Sequence, residues 1–109
     1  METKVKSYRE ELARRVSRMT DKQFFDYCHE MPCPYDNEDN EMYIKVRTLV
    51  DIYENSRNER NLERLVRYLT TWFGSFGQKS MNLVNERLGI KTKKELKKWE
   101  ILELVKLMK

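Results

Sequence analysis

The chain has 109 residues, of which 39% are hydrophobic and 37% charged, with three glycines, two prolines and a net charge of +4. That length allows one domain, residues 1–109, with one modest core, and few chain breakers among many Leu, Glu, Lys and Arg favour an all-helical fold over a disordered chain. The longest stretch free of charge, Tyr68 to Gln78, has 11 residues, too short to cross a bilayer. Met1 to Arg18 lacks the apolar centre of an export signal. The two cysteines are then read as reduced thiols, and a cytoplasmic setting is expected.

A first helix is expected from about Glu2 to Arg18, because Val5, Tyr8, Leu12, Val16 and Met19 recur every three or four residues and so share one stripe. Thr20 and Gln23 have the spacing of a capping box, which opens a second helix with Phe24, Phe25, Cys28 and Met31 on its apolar face. Pro32 and Pro34 end it, and the acidic segment of about 32–41 reads as a loop from its Pro, Asn and Asp content. A third helix over about Asn40 to Glu54 buries Met42, Tyr43, Val46, Leu49, Val50 and Tyr53. A fourth, over about Asn58 to Phe73, buries Leu62, Leu65, Val66, Leu69, Trp72 and Phe73.

A hairpin beginning at Ser75 leads into a short fifth helix that ends at Leu88, with Met81, Val84 and Leu88 inward. Gly89 stands where a left-handed cap is expected, with Ile90 closing over the last turn. Thr92 and Glu95 form a second capping box, and a sixth helix follows with Leu96, Trp99, Leu102, Val105 and Met108 inward. About six short helices with short connections make a compact bundle.

Charge is distributed unevenly. Residues 21–41 carry a net −6, and residues 78–109 a net +5. A basic C-terminal part, about 74–109, points to an anionic partner. Lys91, Lys93, Lys94, Lys97 and Lys98 cluster at the start of the sixth helix. Cations oppose the helix dipole there, and folding alone would favour acids. Arg57, Arg60, Arg64 and Arg67 lie opposite the Leu62–Leu69 stripe and are expected to form one exposed row, suited to an anion or an acidic protein.

The stretch Phe76-Gly77-Gln78-Lys79-Ser80, followed by Leu88-Gly89-Ile90-Lys91-Thr92 and Glu95-Leu96, resembles helix-hairpin-helix modules. The likeness is to those in the C-terminal domains of competence regulators and of the RNA polymerase alpha subunit, and it covers roughly residues 72–104. It implies that Gly77, Gln78, Lys79 and Ser80 face a DNA phosphate, held by free backbone N–H groups and a helix N-terminus. Two residues separate Gly74 from Gly77 where one is usual, and Gln78 replaces the preferred proline. A helix-turn-helix alternative would make Gly89 the turn residue and Thr92 the start of the recognition helix. Leu96 and Trp99 then fall one residue late, and Asn85 fills a place that needs a small side chain.

Other chemistries fit less well. A calcium loop from Asp36 would place Glu41 where glycine is required. Cys28, His29 and Cys33 offer three ligands without a fourth or a tight CxxC start, and Cys28 reads as core. Tyr35 and Tyr27 are candidates for exposed anchors of a protein contact. No catalytic constellation is visible, so neither an enzyme nor a cofactor or metal is expected. The expectation is a non-enzymatic nucleic-acid-binding, DNA-preferring domain. Its site would comprise Gly77, Gln78, Lys79, Ser80, Lys91, Thr92, Lys93, Lys94, Lys97 and Lys98, extended by Arg60 and Arg64. The alternative is a protein-binding adaptor or inhibitor that uses the arginine row and the acidic loop.

Overall fold

The computed structural model describes residues 2–29 and 41–108, with side chains from residues 10 and 42 onward in the two stretches. The acidic loop, Met31, Cys33, Tyr35 and the side chains of Val5 and Tyr8 lie outside the described residues. Among those described, six α-helices and one 3₁₀ turn occur in the order α1 Glu2–Arg18, α2 Asp21–Cys28, α3 Glu41–Asn55, α4 Glu59–Trp72, the turn Phe73–Ser75, α5 Gln78–Leu88 and α6 Lys93–Leu107. The architecture is an all-α bundle, as the periodicity indicated.

The α3–α4 pair forms the spine. Helices α1 and α5 pack on α3, while α2 and α6 pack on α4. Helix α3 is therefore enclosed on several sides. Met42, Ile44, Val46, Leu49, Val50 and Tyr53 are buried, and so are Lys45 and Thr48 on its flanks. The Lys45 ammonium sits 4.3 Å from the Tyr27 ring centroid, an attraction that offsets part of the cost of burying a charge. On α4, Leu62, Leu65, Val66, Tyr68 and Leu69 are buried. Each such leucine contributes about 1.5–3 kcal/mol.

Local chemistry sets the helix ends. Thr20 accepts from the Gln23 N–H, and the Gln23 carbonyl oxygen accepts from the Thr20 N–H at 2.9 Å, completing the capping box. Asn58 caps α4 by accepting from the Asn61 N–H at 2.8 Å. Gly89 closes α5 at φ 72°, and Ile90 behind it is 1% exposed. A side chain with a Cβ would be strained at that φ.

Several expectations need correction. Leu102, Val105 and Met108 point outward. The series 96, 99, 102, 105, 108 advances by three residues, or about 300°, so it winds around the helix instead of keeping to one side. Leu96 and Glu103 are buried, while Trp99, Leu104 and Leu107 pack partly on the core. Phe25 is 48% exposed, and Tyr27 is buried in its place. Leu83 and Ser80 are buried on α5, and Met81 and Leu88 only partly so.

Of the arginine row, Arg57, Arg60 and Arg67 are exposed as expected, and Arg64 is not. Arg64 is 7% exposed and donates to the carbonyls of Val16 (2.8 Å) and Met19 (2.7 Å) and to Asp21 (3.3 Å), with its guanidinium 4.8 Å from the Phe24 ring centroid. Arg60 donates to the Met19 carbonyl at 3.0 Å, Arg57 pairs with Glu103, and Arg67 stacks on Phe25. The physical reason lies in contacts distant in sequence. The end of α1 leaves carbonyls without intrahelical partners, and α2 folds back over the side of α4 that carries Arg64.

Replacing Arg64 by Ala strips the Val16 and Met19 carbonyls of their shared donor and opens a void under Phe24. A loss of about 3 kcal/mol is expected from the urea midpoint and slope. Arg60→Ala, at an exposed site with a single such bond, should cost about 1 kcal/mol or less.

Candidate nucleic-acid interface

The surface that carries the lysines is built by α6. Thr92 caps this helix by accepting from the Glu95 N–H at 3.1 Å, and the Glu95 carboxylate accepts from the Lys91 N–H at 2.6 Å. The reciprocal bond thus comes from the residue before the cap, and it fixes the path by which the chain enters the helix. The acidic group nearest the helix start is thereby engaged in capping.

Two anchors set the rotation of α6 about its axis. Leu96 is 3% exposed, and Trp99 meets the Tyr53 ring edge-on at 5.9 Å. Glu103, 4% exposed, accepts from the Tyr53 hydroxyl at 2.8 Å, from Arg57 at 3.3 Å and from Lys106 at 3.1 Å. Burial pushes the Glu103 carboxyl up, but the Tyr53 hydroxyl, Lys106 and Arg57 outweigh it, and the net shift is below the ordinary carboxylate range. The Tyr53 hydroxyl is pushed up to about 12, by burial first and by the Glu103 carboxylate second.

With that rotation, Lys93, Lys94, Lys97 and Lys98 span an arc of about 140° centred away from Leu96 and Glu103. All four are exposed, as is Lys91. None of the five ammonium groups has an ion-pair partner among the described residues. Lys93–Lys97 and Lys94–Lys98 are like charges at i, i+4, and each pair costs a few tenths of a kcal/mol.

The glycine hairpin lies elsewhere. Gly77 is the N-cap of α5 with extended backbone (φ −87°, ψ −169°) and no side-chain cap. Gln78 and Lys79 are exposed, with Gln78 donating to Asn82 at 2.8 Å. Ser80 is 0% exposed, so its hydroxyl faces the core and not an outside phosphate. Helix α5 has 11 residues, which sets its Gly77 end about 15 Å along the axis from the end that leads to the lysines. Arg87 fastens α5 to α3 by donating to Asp51 at 2.7 Å and to Glu54, and both bonds favour its charged form. Of the expected site, α6 brings together the five lysines and Thr92, while Gly77, Gln78 and Lys79 stand apart. Arg60 and Arg64 belong to the α1–α4 junction.

Below the lysines, the same outward side of α6 turns apolar. Ile101 is 58% exposed, Leu102 61%, Val105 48% and Met108 79%. Sequence reasoning missed this because Glu103, covered by Tyr53, Arg57 and Lys106, takes an inward position that the apolar series was expected to fill.

Among the described residues no three His, Cys, Asp or Glu side chains gather as a metal site, and no helix is long and apolar enough to cross a membrane. Cys28 is a free buried thiol, pushed up to about 11 by burial. The chain matches no protein-family model, no curated protein and no solved structure.

Because the folded state favours the Glu103 carboxylate, the stability it contributes is complete above the ordinary carboxylate range. It is lost as pH falls through the lower folded value. The urea midpoint of the wild type should therefore exceed that of Glu103→Gln near neutral pH, and the gap should narrow as the pH is lowered through and below the ordinary carboxylate range. A constant gap would rule out this role for the carboxylate.

Proposed function

We propose that this chain is a non-enzymatic nucleic-acid-binding domain, with duplex DNA as the favoured ligand. A phosphate backbone would lie along the first two turns of α6. The observation that carries this reading is the group of five exposed lysines without carboxylate partners among the described residues, four of them on one outward arc of a helix start. In isolation that arrangement costs free energy through like-charge repulsion and the helix dipole. Against a polyanion the same charges attract and release counterions. Gly77, Gln78 and Lys79 at the uncapped start of α5 would supply a second phosphate contact. The likeness to helix-hairpin-helix modules supports such a contact, without Ser80.

A second reading has its own observation. The four exposed apolar side chains on the last two turns of α6 form a patch of a kind that marks protein contacts. A protein-binding adaptor would use that half of the helix. It would not use Arg64, which is buried in the fold.

Fluorescence anisotropy with a labelled duplex at several salt concentrations tests the first reading. Four or five phosphate contacts predict a slope of log K against log salt of roughly −4. Changing Lys93, Lys94, Lys97 and Lys98 to Ala should flatten that slope by roughly one per lysine lost. Absence of binding at low salt would overturn the proposal and leave the apolar half of α6 as the functional surface.

A further inference from the structure

A groove of about 500 Å³ runs between the second half of α1 and the corner where α3 gives way to α4. Arg14, Ser17 and Arg18 line one wall, Ser56 and Arg60 line the other, and Ile52 contributes to an apolar floor. No Asp or Glu lines it. The placement follows from packing. Leu12 and Val16 turn inward, which leaves Arg14 and Arg18 at the edge of α1 that borders α4.

Two arginines at i, i+4 repel each other mildly, and a third faces them across the groove. Neither Arg14 nor Arg18 has a hydrogen bond or ion pair of its side chain among the described residues. Arg60 donates once, to the Met19 carbonyl, which holds its guanidinium at the rim with further N–H groups to offer. The second wall is stiffened by its own residues: Asn61 donates to the Ser56 carbonyl at 2.7 Å, and Asn58 to the Ser56 hydroxyl at 3.3 Å.

Three guanidinium forks and two hydroxyls around a carboxylate-free groove offer the positive charge and the N–H and O–H donors that suit the oxygens of a phosphate group. The volume suits a molecule of nucleotide size. We infer that this groove binds a small phosphorylated molecule, its phosphate or diphosphate held by Arg14, Arg18 and Arg60.

The site is separate from the lysine surface. Arg57, at the same α3–α4 corner, meets Glu103, which follows Lys98 by five residues, or about 7.5 Å of helix rise, and lies off the arc that the lysines span. Its fate is therefore independent of the nucleic-acid reading.

Isothermal titration of the full chain with pyrophosphate tests the inference. Saturable one-to-one binding is expected, weakened about tenfold for each of Arg14→Ala and Arg18→Ala and unchanged in Lys93→Ala with Lys94→Ala. Ser17→Asp, which places a carboxylate in the groove on an exposed helical position, should abolish binding while leaving the urea midpoint near that of the wild type. Three results would each overturn the assignment: no saturable binding, equal affinity in the arginine variants, or displacement by an oligonucleotide without a terminal phosphate as readily as by adenosine diphosphate.

Discussion

The buried carboxylate of Glu103 decides what this protein shows to its surroundings. It accepts from Tyr53 of α3, from Arg57 at the α3–α4 corner and from Lys106 one turn further along its own helix. A carboxylate that far from water must keep its partners, and those partners exist at one rotation of α6 only. Turning the helix by one residue would move Glu103 about 100° off Tyr53 and leave a charge without its donors. The lysines face outward in consequence, and so do Ile101, Leu102, Val105 and Met108.

Basic side chains divide by what they meet. Where helix ends expose carbonyls, arginine is drawn inside: Arg64 serves two such carbonyls and stacks on Phe24. Its planar fork can do both at once, and a lysine ammonium cannot. Where carboxylates stand nearby, cations pair, as Arg87 does with Asp51 and Glu54. The lysines at the start of α6, and Arg14 and Arg18 in the α1 groove, bond to neither among the described residues. Net charge therefore says little about the surface until the fold has used what it needs.

The same division explains what was legible in the sequence. Helices with a true 3.6-residue stripe, α3 and α4, could be placed within a residue or two. The Thr20 box, the Thr92 cap and the Gly89 cap were readable because each is a local device, complete within a few residues, although the Glu95 carboxylate accepts from Lys91 and so does not close the Thr92 box. The inward sides of α6 and the place of Arg64 were not. Both depend on partners far away in sequence, Tyr53 for one and the Val16 and Met19 carbonyls for the other. The five lysines could be grouped from their spacing. Their separation from the Gly77 turn could not, since that depends on how α5 lies between them.

Helix α6 is also held differently from the rest of the bundle. Its fully buried residues are Leu96 and Glu103, where α3 and α4 each bury five or more side chains. A helix that rests on one leucine, one polar network and partly covered Trp99, Leu104 and Leu107 has little packing free energy to spare. Yet it carries repelling lysines in its first half and exposed apolar groups in its second. The lysine repulsion weakens the helix slightly, and the exposed apolar groups add nothing to its packing. A ligand that binds only the folded form adds stability in proportion to the logarithm of its occupancy. A polyanion would relieve the repulsion in the lysine half, and a hydrophobic partner would cover the apolar half, so either proposed ligand would also steady α6.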